Sequence, residues 1–173
     1  MKLSVIGCGY LGAVHAAAMA SIGHQVVGYD VDNAKISSLA AGHAPFFEPG
    51  FAELLDASIR SGNLTFTTDI NSLRGATVHF IAVGTPQLAD SDGADMTFVD
   101  AAVESLLPHL SEGHLVVGKS TVPVGTAARL AVRIRATGAH LVWNPEFLRE
   151  GFAVADTLEP DRIVYGVDDP TGQ

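Results

Sequence analysis

Short apolar runs alternate with segments of helical spacing along most of the chain. Leu3-Ser4-Val5-Ile6 passes through Gly7-Cys8-Gly9-Tyr10-Leu11-Gly12 into the alanine-rich segment Ala13 to Ile22, and a second apolar run, Gln25-Val26-Val27-Gly28-Tyr29, ends at Asp30. Strand, tight turn, helix, strand and acid make one βαβ unit. The alternation continues. Asn33 to Ala41 reads as a short helix closed by Gly42, His43 to Gly50 as an ordered loop held by two prolines, and Phe51 to Arg60 as a helix stopped by Gly62. Leu64 to Thr67 predicts a third strand, and Asp69 caps a short helix leading to Arg74. Thr77 to Val83 is apolar almost throughout, as a strand covered on both faces should be. Ala89 to Asp95 is an acidic stretch that reads as a mobile surface loop. Helices over Thr97 to Leu110, Thr126 to Ala136 and Phe147 to Val154 then alternate with strands over His114 to Gly118, Leu141 to Trp143 and Arg162 to Val167.

This order predicts the α/β class: a doubly wound, mostly parallel sheet of Rossmann type in strand order 3-2-1-4-5-6, forming a single domain. In such a sheet the carboxyl ends of the strands share one edge, and a ligand crevice opens there. Gly7, Asp30, Gly84-Thr85-Pro86, Ser120-Thr121 and Asn144-Pro145-Glu146 all follow predicted strand ends. Segments far apart in sequence are therefore expected to converge on one site.

Composition narrows the partners. A length of 173 residues suits one domain with a full core, and 47% hydrophobic against 17% charged residues fits a well-buried sheet. No apolar run approaches the ~20 residues needed to cross a bilayer, so no membrane partner is expected. Met1-Lys2 leads straight into the first predicted strand and leaves no room for a leader, which makes the cytoplasm the expected compartment. A net charge of -9 argues against nucleic acid, whose phosphates the surface would repel. The single cysteine, Cys8, excludes an internal disulfide and any multi-cysteine metal site, and the seven histidines show no metal-ligand spacing, so no metal is expected.

The opening unit carries the clearest chemistry. Gly7, Gly9 and Gly12 stand where the main chain must turn sharply, approach a ligand closely and let a helix lie against the sheet. The helix then aims unpaired N–H groups and its positive end at the turn, which favours a pyrophosphate. Asp30 stands where a carboxylate accepts from a ribose diol and repels a 2'-phosphate, so NAD is expected over NADP. Lys35 is open to two uses, steadying that ribose or standing solvated on a helix face. Gly84-Thr85-Pro86 is either a plain turn or a ligand contact. Thr121 either caps a helix start or offers its hydroxyl to a nicotinamide, a substrate oxygen or a water. Glu146 and Glu150, spaced i and i+4 on the predicted helix, would bring two carboxylates to one face. One as acid/base and the other as ribose or amide acceptor would account for the pair, and two solvated acids is the alternative. Arg149 would meet a phosphate or pair with a nearby acid. Cys8, inside the turn, is expected to pack into the sheet and stay inert.

Five strings together, Gly7 to Gly12, Pro45 to Gly50, Gly84-Thr85-Pro86, Ser120 to Thr126 (S-T-V-P-V-G-T) and Asn144 to Gly151 (N-P-E-F-L-R-E-G), resemble the nucleotide-sugar dehydrogenases over essentially the whole chain, with the UDP-glucose enzymes the nearest branch. GDP-mannose and UDP-N-acetylmannosamine are the rival substrates, and a stand-alone NAD-binding module without chemistry is the rival class. The resemblance implies oxidation of a primary alcohol at sugar C6 to a carboxylate with two NAD, through a cysteine thioester that water hydrolyses. It implies that Gly7, Gly9, Tyr10, Leu11, Gly12, Asp30, Lys35, Thr85, Thr121 and Glu150 hold NAD. Thr121 and Glu146 would then handle the catalytic water, and Glu146, Phe147, Leu148 and Arg149 would line the sugar-nucleotide side. In that family a long central helix and a second α/β domain follow and bring the nucleophilic cysteine. This sequence stops at Gln173, near where that helix would begin, so residues 1–173 are expected to form the NAD-binding domain, to lack turnover alone, and to expose an apolar patch near the last segments capable of weak self-association.

Overall fold

Six of the apolar runs become strands of one parallel sheet. The computed structural model describes residues 1–167. In chain order the elements are β1 (Lys2–Ile6), α1 (Tyr10–Ser21), β2 (Gln25–Tyr29), α2 (Asn33–Ala40), α3 (Phe51–Arg60), β3 (Leu64–Thr67), β4 (Val78–Ile81), α4 (Thr97–Leu106), β5 (Leu115–Gly118), α5 (Thr126–Arg135), β6 (His140–Trp143) and α6 (Ala153–Leu158). The strands lie in the order β3-β2-β1-β4-β5-β6, all parallel, with Val5 opposite both Gly28 and Phe80. The doubly wound sheet expected from the sequence is the one observed.

Side-chain alternation along each strand builds a separate core on each face. Leu3, Val5, Val26 and Leu64 pack with α1, α2, α3 and the start of α6, whereas Ile6, Val27, Ile81, Val116 and Leu141 pack with α4 and α5. Eight of the twelve residues of α1 are buried because it meets both the sheet and its neighbours α3 and α6. A helix enclosed on most sides loses amphipathic pattern, and its alanines let it approach the strands closely.

Three predicted elements need correction. The helix expected from Thr97 to Leu110 is α4 followed by a 3₁₀ turn at Leu107–His109, since Pro108 supplies no N–H to continue the α ladder. The helix expected from Phe147 to Val154 does not form: residues 144–149 are irregular, Gly151 takes a left-handed φ of 87°, and α6 starts only at Ala153. Arg162 to Val167 is not a strand. Its contact with the sheet is an isolated antiparallel bridge between Trp143 and Gly166, and Ile163, Val164 and Tyr165 are exposed.

Smaller details also differ. Asp69 does cap its short helix, accepting from the Asn71 N–H at 3.0 Å, but the helix is 3₁₀, Ile70–Leu73. The acidic loop after β4 is exposed and closed on itself by a Gln87–Ala94 bridge and an Asp95 N–H to Pro86 carbonyl bond of 2.7 Å. No helix among the described residues is long and apolar enough to cross a membrane.

Candidate functional site

The carboxyl edge of the sheet is built from the glycine turn outward. Gly7 holds a left-handed φ of 92°, and Gly12 comes so close to it that a Cβ there would meet the Gly7 carbonyl oxygen at 1.8 Å. Only glycine at both positions lets α1 start directly behind β1. Gly9 is different: a Cβ there would meet nothing within 4 Å. No side chain caps α1 at that end. The turn thus leaves open space in front of an uncapped helix N-terminus, the requirement for a phosphate group to approach.

Asp30 sits beside this turn at the end of β2. It is buried, and its Oδ2 accepts from the Cys8 N–H at 2.8 Å and from Lys35 Nζ at 2.8 Å, while Oδ1 accepts from the Asp32 N–H at 3.0 Å. Burial works against ionisation, but Lys35 and the two N–H groups outweigh it and hold the carboxyl below its ordinary value. A cleft of about 650 Å³ opens over this acid, between the β1 and β4 ends, with Gly7, Gly9, Lys35, Gly84 and Pro86 on one side and Phe98, Ala101 and Ser105 of α4 on the other. Thr85 stands half-buried between Gly84 and Pro86. Cys8 lies beneath the turn, fully buried, and burial followed by the charge of Asp30 pushes its thiol up, so it is inert as a nucleophile.

Past β4 the rim is cross-linked from strand to strand. Ser120 Oγ donates to the Val83 carbonyl at 2.7 Å, and Trp143 Nε1 donates to the Ser120 carbonyl at 3.1 Å. Lys119, only 3% exposed, donates to Asn144 Oδ1 at 3.0 Å and pairs with Glu146 Oε2 at 2.6 Å. Glu146 Oε1 accepts from the Phe147 N–H at 3.0 Å, which pins the second carboxylate oxygen. Thr121 is exposed next to this network.

Glu146 and Glu150 therefore do not share a helix face. The backbone over 144–149, which carries both Glu146 and the approach to Glu150, is irregular, and helix α6 starts only at Ala153, so the i, i+4 reading is wrong. Glu150 is exposed and near enough to Tyr10 to help raise its phenol. Arg149 pairs with Asp156 through Nε at 3.0 Å and Nη2 at 2.6 Å and lies 4.9 Å over the Phe152 ring. Phe147 is exposed, and Leu148 packs on the first core.

Tyr10 and Leu11 turn their side chains away from the cleft. Leu11 packs on the core, and Tyr10 packs edge-on to Phe46 and donates to Glu48. They offer the cleft only main-chain N–H groups. Two residues with strong roles here carried no site assignment from the sequence, Lys119 and Glu48. A lysine directly after Val116-Val117-Gly118 was a usable signal, since an ammonium at the end of a buried strand must find an anion. For Glu48 the signal was weaker, an acid between Phe47 and Pro49.

The model of one family, the NAD binding domain of the UDP-glucose/GDP-mannose dehydrogenase family, matches residues 1–173. The chain belongs to that family. It is 45% identical to the UDP-glucose 6-dehydrogenase of Rhizobium meliloti (strain 1021), over 100% of this chain and 41% of that protein, and 43% identical to UDP-glucose 6-dehydrogenase TuaD of Bacillus subtilis (strain 168), over 95% and 37%. Among solved structures, it is similar to a UDP-glucose dehydrogenase from Pyrobaculum islandicum (TM-score 0.89, 40% identity, 98% of this chain and 41% of that one). A ternary complex of GDP-mannose dehydrogenase from Pseudomonas aeruginosa gives a TM-score of 0.91 at 33% identity, over 99% and 42%. The chain spans about two fifths of the length of these dehydrogenases. The features that suit NAD are present: open space at Gly9, an uncapped α1 and an ionised acid at the β2 end.

Proposed function

We propose that this chain is the NAD-binding portion of a UDP-glucose 6-dehydrogenase and that it lacks steady turnover by itself. The observation that carries the reading is the single rim that holds the open glycine turn and Asp30 at one end and the Lys119–Glu146 pair beside Thr121 at the other. Gly7, Gly9 and Gly12, with the N–H groups of Tyr10 and Leu11, seat the diphosphate, and Asp30, steadied by Lys35, takes the adenosine ribose. When bound, NAD would supply the hydride acceptor. Thr85, Thr121 and Glu150 position the nicotinamide half. Thr121 and Glu146 orient water there, with Lys119 fixing Glu146. Phe147, Leu148 and Arg149 stand on the sugar-nucleotide side.

Half of the site is missing on this reading. The only thiol in the sequence, Cys8, is buried and inert, so residues 1–173 supply no thiolate to form a thioester with a sugar carbon. The matched dehydrogenases are more than twice as long. The exposed apolar side chains Phe147, Phe152, Ile163, Val164 and Tyr165 suit a face that a longer chain covers.

Two measurements test this. The purified 173-residue chain is expected to bind NAD in calorimetry yet give no sustained rise at the NADH absorption band with NAD and UDP-glucose; steady turnover would overturn the half-site. Binding should also depend on Asp30. With Asp30→Ala, NAD affinity is expected to fall about 10-fold or more while NADP, much the weaker ligand of the wild type, loses little. Equal affinity of wild type and variant for NAD would remove Asp30 from the site.

A further inference from the structure

Three distant pieces of chain meet at one buried carboxylate, Glu48, in the loop between α2 and α3. Its Oε2 accepts from Tyr10 Oη at 2.5 Å and from the Gly151 N–H at 2.8 Å, and its Oε1 accepts from the Ala153 N–H at 2.9 Å. Burial opposes its ionisation, but Tyr10 and the N–H groups of Gly151, Ala153 and Val154 outweigh it and hold the carboxyl below its usual range. Burial first, and then Glu48 itself, push the Tyr10 phenol up to about 12. At neutral pH the contact is thus a phenol donating to a carboxylate, the stronger kind of hydrogen bond.

The three donors come from the parts that matter at the rim. Tyr10 is the first residue of α1, whose N-terminus faces the glycine turn. Gly151, left-handed at φ 87°, closes the loop that carries Glu146 and Glu150. Ala153 begins α6, which has no local side-chain cap, so Glu48 supplies one from 105 residues away.

We propose that Glu48 is a positioning residue that couples the cofactor seat at α1 to the placement of the loop at 144–151. It touches no ligand. It acts through Tyr10 and Gly151, so that a diphosphate settling against α1 also fixes the loop bearing the two acids. The functional half of this proposal rests on the NAD reading above.

Glu48→Gln keeps the shape of the side chain, removes its charge and turns an NH₂ toward at least one N–H donor. In the 173-residue chain we would measure amide exchange by NMR with and without NAD, NAD affinity by calorimetry, and folding by circular dichroism. The variant is expected to stay folded, to exchange the Gly151 and Ala153 amides about 10-fold faster, and to bind NAD about 5-fold more weakly. NAD should slow exchange across 146–151 in the wild type and fail to do so in Glu48→Gln. Tyr10→Phe, which keeps both backbone bonds, should also lose this NAD-linked protection while leaving Gly151 exchange without NAD close to wild type. Loss of thermal stability with the NAD-linked protection intact would overturn the proposal, because Glu48 would then be only a brace. Unchanged Gly151 exchange in Glu48→Gln would overturn it as well. Failure of the wild type to bind NAD would instead sink the cofactor reading, and Gly151 exchange in the two variants would still decide whether Glu48 joins α1 to the loop.

Discussion

Gly12→Ala is expected to damage both the fold and the cofactor site, whereas Gly9→Ala should damage only the site. At Gly12 the new methyl would lie 1.8 Å from the Gly7 carbonyl oxygen and 3.3 Å from the Ala82 Cβ, so α1 must move off the sheet or the turn must open. Overpacking of this kind costs about 3 kcal/mol, which in a domain of this size lowers the melting temperature by roughly 6–12 °C. NAD affinity should fall about 100-fold or more, because the N–H groups that seat the diphosphate move with the helix. At Gly9 the backbone is extended, φ -71° and ψ -163°, and a methyl meets no protein atom. Stability should therefore change by no more than about 0.5 kcal/mol, while a ligand occupying that space is pushed away. Thermal unfolding and calorimetry on the two variants separate the effects. Wild-type NAD affinity in Gly9→Ala would mean that the space before Gly9 is not where the diphosphate lies.

The contrast between these glycines shows how much the sequence could reveal. Their spacing after an apolar run marked a strand, a turn and a helix start, because local sterics alone dictate that geometry. The sheet order followed from the same local logic repeated along the chain, since strands alternating with helices build right-handed crossovers between parallel neighbours. What the local pattern could not supply was the loop after β6. Phe147, Leu148, Glu146 and Glu150 satisfy a helical period, yet Gly151 takes a left-handed turn, and two groups of the loop answer to partners far away in sequence. Glu48 claims the Gly151 N–H, and Lys119 claims the Glu146 carboxylate. Neither partner is visible from a window of neighbouring residues. The apolar run near the end of the chain failed in the opposite way. Ile163, Val164 and Tyr165 have strand composition but sit exposed beside β6, held by the Trp143–Gly166 bridge and by Asn144 Nδ2 donating to the Val164 carbonyl at 2.7 Å. Composition reports what a segment can bury, not whether a neighbour is there to bury it.

Lys119→Met is the second large effect expected. Lys119 is 3% exposed, and its ammonium lies 2.6 Å from Glu146 and 3.0 Å from Asn144 Oδ1. Breaking a buried ion pair by removing one partner costs about 3–5 kcal/mol when the other charge is left dry. The Glu146 side chain is 23% exposed, so it regains some water, and the lower end of that range, about 3 kcal/mol, is the expected loss in chemical denaturation. Glu146→Gln alone strands the better-buried ammonium and should cost at least as much. The double variant should be more stable than the sum of the single losses predicts, with a coupling above about 1 kcal/mol. The same cycle read through Trp143 emission reports the rim, because Trp143 directly precedes Asn144 and its indole donates to Ser120. A coupling near zero would make the contact a solvated surface pair and would leave Glu146 free to swing. That result would also weaken its proposed part in orienting water, since an acid that works on a substrate must be held in place before the substrate arrives.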